Sequence, residues 1–124
     1  MKKNSRALSR EFLTMCALCV GASLGIANVA FADEASQLFD KKCASCHGKD
    51  GKGNTAIGKK IGTKNFADPA LQGNLTDAAI EKSILAGEKD KDTGKNRMPG
   101  FEGKLSSEEI SGLVKYVRTF RGKE

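Results

Sequence analysis

Cys43, Ala44, Ser45, Cys46 and His47 stand in succession, and this C-x-x-C-H string constrains the chain more than any other part of it. Two thiols three positions apart, followed at once by an imidazole, match the attachment signature for a covalently bound c-type haem. Haem carries two vinyl groups, which thiols convert to thioethers, and an iron that needs axial ligands. One short turn of chain therefore fixes the cofactor at three points: Cys43, Cys46 and His47.

The string follows a segment with the features of an export signal. Lys2, Lys3, Arg6 and Arg10 form a positive start, the run from Phe12 to Phe31 is largely apolar, and Ala30, Phe31 and Ala32 make an A-x-A cleavage pattern. Residues 1–32 are expected to be a cleaved secretory signal peptide, with a monohaem domain over 33–124. The alternative is a retained membrane anchor, because the run is just long enough to cross a bilayer. Against it, Thr14, Gly21, Ser23, Gly25 and Asn28 dilute the segment, and no charged stop-transfer cluster separates it from the alanines. No permanent anchor is expected, and the predicted location is the periplasm, across the inner membrane. Cys16 and Cys19 follow Met15 and Leu18 instead of the small residue a lipoprotein cysteine needs, which argues against lipidation.

The remaining 92 residues make one small domain, too short for a generous core of its own side chains. A haem supplies the missing apolar volume. This stretch holds 17 Lys and Arg against 14 Asp and Glu, a net charge of +3, and the two signs are interspersed. So small an excess argues against nucleic-acid binding. The same stretch contains two cysteines, one histidine and one methionine: Cys43, Cys46, His47 and Met98. Three Cys and His groups do not complete a structural zinc site, which normally takes four. A thioredoxin-like dithiol expects a βαβ setting, and strand-like alternation is nearly lacking here.

Helix signals organise the rest into an all-α chain. Ala35, Leu38, Phe39 and Cys43 recur at helical spacing, predicting a first helix over 34–42 that leads into the haem turn. Gly48, Gly51, Gly53, Gly58 and Gly62 predict an irregular loop, either lying close over the cofactor or merely flexible. Thr76 as N-cap, with Leu75 and Ile80 as a hydrophobic staple, starts a second helix that runs to Ala86 and stops at Gly87. The charged stretch 88–96 reads as an exposed excursion. Ser106 and Glu109 form a capping box, and Ile110, Leu113, Val114, Val117 and Phe120 keep the 3.6-residue period, so a last helix is expected over about 107–121.

Met98 is the second candidate ligand. An iron held by one histidine leaves its opposite face open, and no other strong candidate exists in 33–124. Pro99 disfavours helical geometry at Met98 and pushes it towards an extended conformation, which suits a loop that projects a thioether. The competing reading is a methionine that fills a gap in the core.

An early C-x-x-C-H, a later Met98-Pro99 before a terminal helix, and an export signal together resemble the small class I cytochromes c of bacteria. The resemblance covers essentially all of residues 33–124. It implies three main helices and loops wrapped around one haem c, with Ala35 and Phe39 packing against Leu113 and Tyr116 where the first and last helices cross. It also implies His47 and Met98 as the two axial iron ligands. Many relatives carry a proline some ten residues after the histidine, whose carbonyl accepts the imidazole N–H; this chain has Ala56, Ile57 and Gly58 there. Another backbone carbonyl is expected to serve, since ligating histidines generally have such a partner.

With imidazole and thioether both bound, the iron has no vacant position for substrate, so the expected role is that of a monomeric one-electron carrier and not an enzyme. Thioether ligation favours the ferrous state. The expected partners are redox proteins, a donor and an acceptor. Lys49, Lys52, Lys59, Lys60, Lys64, Lys95, Arg97 and Lys104 flank the predicted haem-proximal loops and either steer such partners or form an ordinary solvated surface. Two further readings stay open: a relay subunit fixed in an oxidase or dehydrogenase complex, and a haem enzyme or gas-binding protein whose methionine is displaceable.

Overall fold

The computed structural model describes residues 27–123, with side chains from Ala32 onward; the basic start, Cys16 and Cys19 of the expected export signal lie outside the described residues. Helix α1 (Ala27–Lys42) begins seven residues before the predicted start at Glu34. Alanine recurs through Ala27, Ala30, Ala32 and Ala35 with no glycine or proline between, so nothing interrupts helical propagation. The expected cleavage point after Ala32 thus falls within α1 of the uncleaved chain. Lys41 and Lys42 occupy its last turn, where positive charge opposes the negative end of the helix dipole.

Three short helices follow, none of which the sequence pattern predicted. Helix α2 (Ala44–His47) is the C-x-x-C-H turn itself, stopped by Gly48 at φ 75°. Helix α3 (Ala56–Ile61) replaces part of the expected glycine loop and is capped by Thr55, whose side chain accepts from the Gly58 N–H. Helix α4 (Pro69–Asn74) starts on Asp68 as N-cap with proline at its first position. Helix α5 (Asp77–Ala86) matches the predicted second helix, with Thr76 accepting from the Ala79 N–H and Gly87 ending it.

The charged stretch after α5 is exposed, as expected, but it is a hairpin: β1 (Glu88–Lys89) pairs antiparallel with β2 (Asn96–Met98). Asp90 explains why the chain turns there. Its carboxylate accepts from the N–H groups of Asp92 and Thr93 and from the Thr93 hydroxyl, a side-chain scaffold for a tight reversal. Met98 lies on β2, in the extended geometry that Pro99 demands.

Helix α6 (Ser107–Arg118) has the full capping box, with the Glu109 N–H donating to Ser106 Oγ and the Ser106 N–H to the Glu109 carboxylate. It stops three residues before the expected end. The Thr119 hydroxyl and N–H both turn back onto the Tyr116 carbonyl, closing the last turn.

The core lies where α1, α5 and α6 meet. Phe39, Leu113 and Phe120 are its least exposed large side chains, joined by Ile80, Ile84, Ile110, Val114 and Val117. α1 packs chiefly on α6. Phe39 meets Tyr116 with ring centroids 5.3 Å apart, and a Cβ on Gly112 would lie 3.4 Å from that of Ala35. The expected crossing is therefore present.

Candidate cofactor site

α1 delivers the two thiols and the imidazole as a rigid unit, because the Cys43 N–H continues the helical bonding to Phe39 and the His47 N–H bonds the Cys43 carbonyl. α3 is mounted on the same turn. Thr55 Oγ1 donates to the Cys46 carbonyl at 3.0 Å while accepting from Gly58, and the Gly53 N–H donates to the His47 carbonyl at 2.7 Å. The buried glycines of this loop are close-approach positions against the protein's own atoms: a Cβ at Gly51 would meet the Phe120 ring at 2.6 Å.

Cys43, Cys46, His47 and Met98 all line one open cleft of about 520 Å³. Phe39, Phe66, Ile80, Ile84, Phe101, Leu113 and Val117 supply much of its wall, so the space is largely apolar with a charged rim. Its size and lining suit a flat apolar group with a few fixed polar anchors. Neither cysteine is in a disulfide. Burial, with the neighbouring Cys46 adding to it, pushes the Cys43 thiol up to about 11, so that sulfur is a neutral thiol at ordinary pH.

Burial also holds the His47 imidazole below its usual range. A neutral ring keeps a lone pair for a metal. Its Nδ1 is buried and has no hydrogen-bond partner among the described residues, so the carbonyl expected to accept from it is not found. The segment that would supply one is wound into α3 and satisfies its own bonds. Phe66 stacks on the imidazole instead, with centroids 4.9 Å apart and planes 13° from parallel.

Met98 reaches the cleft from a separate support. The Phe101 N–H donates to the carbonyls of Ile84 and Leu85, and that of Glu102 to Leu85, which fastens the segment after Pro99 to the end of α5. Arg97 braces the other flank, donating to the Ile61 carbonyl and, at 3.0 Å, to that of Gly62, with Asp90 3.9 Å away. Sequence reasoning placed Arg97 only among surface cations and missed Phe66 and Gln72. Phe66 is the one aromatic residue between the C-x-x-C-H turn and Met98, a signal that was available. Gln72 left none, since a glutamine in a short polar segment reads as solvated.

Among the described residues, no group of three or more His, Cys, Asp and Glu side chains gathers for a metal ion, and the sheet is only a two-stranded hairpin. No helix among the described residues is long and apolar enough to cross a membrane.

Residues 30–117 match the family model described as cytochrome c oxidase, cbb3-type, subunit III. Cytochrome c6 of Porphyra purpurea is 32% identical over 120 residues, covering 94% of this chain and 93% of the relative. The cbb3-type cytochrome c oxidase subunit FixP of Azorhizobium caulinodans is 32% identical over 91 residues, which are 73% of this chain but only 28% of that subunit. The solved structure of the c-type cytochrome KustC0563 superposes with a TM-score of 0.62 at 33% identity, covering 70% of this chain and 96% of that one.

Proposed function

The chain belongs to the small monohaem class I c-type cytochromes, whose members bind haem c covalently, and from that premise we propose that it carries single electrons using Cys43, Cys46, His47 and Met98. Bound haem supplies an iron that changes its oxidation state by one electron. Cys43 and Cys46 would anchor it through thioethers, which would prevent loss of the group from so small a domain. His47 and Met98 would hold its iron from the protein's own side chains. With both residues bound, the iron would offer no position for a substrate, which favours a carrier over an enzyme or gas-binding protein. The apolar wall around Phe39, Phe66 and Leu113 penalises the extra charge of the oxidised form and so favours reduction.

The observation that carries this reading is the meeting of all four candidate residues, three from α2 and its N-cap and one from β2, in one largely apolar cleft. The proposed setting is the periplasm after removal of residues 1–32. Redox proteins are the proposed partners, and lysines around the cleft rim would steer acidic faces towards it.

A second reading, the relay subunit of an oxidase, is favoured by the description of the matching family and by the likeness to FixP. Copurification with an oxidase or dehydrogenase at fixed stoichiometry would select it; isolation as a free monomer selects the diffusing carrier.

The test is mass and absorption measured on one sample of exported protein. Expected are a mass corresponding to residues 33–124 plus one haem, and a weak near-infrared sulfur-to-iron band in the oxidised form. Met98→Ala should abolish that band and lower the potential with haem still attached; an unchanged spectrum would remove Met98 from the ligand set. A colourless product at the mass of the bare peptide, made alongside competent maturation machinery, would end the proposal.

A further inference from the structure

We propose that Phe66 is the positioning residue for the His47 imidazole, and that Gln72, locked by Arg118, holds Phe66 in place. The inference rests on His47 being a ligand as proposed above, and it concerns what sets the plane of the ring. A ligating histidine is ordinarily oriented by a hydrogen bond from its second ring nitrogen. Here that nitrogen is buried without a partner among the described residues, while an aromatic face lies nearly parallel to the ring at 4.9 Å. Phe39 touches the imidazole less closely, at 6.2 Å and tilted 48°, so it bounds the ring without defining its plane.

A stacking partner orients a ring only if it is itself fixed, and Phe66 is fixed at both backbone polar groups. Its N–H donates to the Gly51 carbonyl at 2.8 Å, and its carbonyl accepts from Gln72 Nε2 at 2.9 Å. Gln72 is only 3% exposed, the most buried polar side chain of the described residues. The same Nε2 donates its second hydrogen to the Val117 carbonyl of α6, also at 2.9 Å. Its Oε1 accepts from the Arg118 guanidinium at 2.9 Å, and Arg118 further donates to the carbonyls of Gln72 and Leu75 and to Asp77. Both amide hydrogens and the amide oxygen are thus used. A buried amide satisfied in this way resists displacement, because any shift leaves polar atoms unpaired away from water. The network runs from α6 through α4 to Phe66 and ends on the imidazole.

The experiment uses the oxidised holoprotein and its Phe66→Leu, Phe66→Tyr and Gln72→Leu variants, read by the hyperfine-shifted proton NMR signals of haem and His47 and by the reduction potential. Leucine keeps apolar bulk but loses the flat face; tyrosine keeps the face. Phe66→Leu and Gln72→Leu should redistribute the haem-methyl shifts in the same sense and move the potential, while Phe66→Tyr keeps the unaltered pattern. If Phe66→Leu lowers the melting temperature yet leaves shifts and potential unchanged, Phe66 is packing only and the proposal is overturned. Phe66→Leu alone decides where Gln72→Leu yields no holoprotein. Absence of His47 ring protons among the shifted signals of the unaltered protein would overturn the ligand assignment instead, and the positioning role with it.

Discussion

Gly87→Ala should loosen the segment that carries Met98, and the cost can be worked from the backbone. Gly87 sits at φ 72° and ψ −174°, a region closed to residues with a side chain. Such strain costs about 1–3 kcal/mol. A Cβ there would lie 2.7 Å from the Gly100 nitrogen, 2.9 Å from the Pro99 carbonyl carbon and closer still to the Met98 oxygen. Those are backbone atoms, so relief requires moving residues 98–100 as a unit, at a further 1–3 kcal/mol or about that for an overpacked contact. Gly94→Ala is the matched control. Gly94 has φ 68°, but a Cβ there meets nothing within 4 Å. Its cost is the left-handed strain of about 1–2 kcal/mol, partly offset by the reduced freedom of the unfolded chain. Denaturant unfolding of the two holoproteins should show a loss of about 2–6 kcal/mol for Gly87→Ala against about 1 for Gly94→Ala. In the oxidised Gly87→Ala protein the near-infrared band should weaken, or vanish at a lower pH than in the unaltered protein. Equal stabilities with an unchanged band would show that the contact relaxes without disturbing Met98, and the reasoning would fail.

Leu113 is 2% exposed and lies on both the helix crossing and the cleft wall, so Leu113→Ala should cost about 2–5 kcal/mol by thermal unfolding. Ser106→Ala, which removes half of the capping box, should cost about 1 kcal/mol, and a reversed order would contradict packing as the main support of α6. The Asp90 carboxyl is held below its usual range, first by the Thr93 N–H, then by the Thr93 hydroxyl, with the Asp92 N–H and Arg97 adding less. Because the folded value is depressed, this support is full above the ordinary aspartate range and is lost as pH falls through the lowered one. The Thr93 amide shift should therefore titrate with a midpoint below 3.8; a midpoint at or above it would refute the turn's role. Raising ionic strength should slow reaction with the natural redox partner, and an insensitive rate would remove electrostatic steering.

The parts of this fold legible in the sequence are those whose signals are local. Thr76, Gly87 and the Ser106–Glu109 box each satisfy backbone groups a few residues away, so α5 and α6 could be read from short windows. The Met98-Pro99 step likewise predicted extended backbone, and β2 has it. What escaped depends on partners distant in the chain. α3 shows no amphipathic run and leaves Ile57 51% exposed; it is held by Thr55 reaching back to Cys46. The Asp68-Pro69 start of α4 was a usable local signal, but the burial of Gln72 depends on Val117 and Arg118, 45 and 46 residues away. The missing acceptor for His47 could be suspected from the lack of proline at 56–58. That Phe66 would stack there required knowing that residue 66 folds back onto Gly51.

The two proposed axial ligands hang from different supports. His47 is continuous with α1, whereas Met98 belongs to a hairpin fastened to the end of α5 by the bonds from Phe101 and Glu102 and by the Gly87 contact. α1 and α5 meet chiefly through α6, which packs on both. The same helix supplies Val117 and Arg118 to the network that ends on the His47 ring. The distance between the two ligands is therefore set by how α6 seats against its neighbours. A carrier that changes oxidation state with little rearrangement needs that distance constant, and a close-packed helix interface resists deformation where a loop does not. The strongly patterned face of α6, Ile110, Leu113, Val114 and Val117, stabilises the fold and is also the frame on which the redox site keeps its shape.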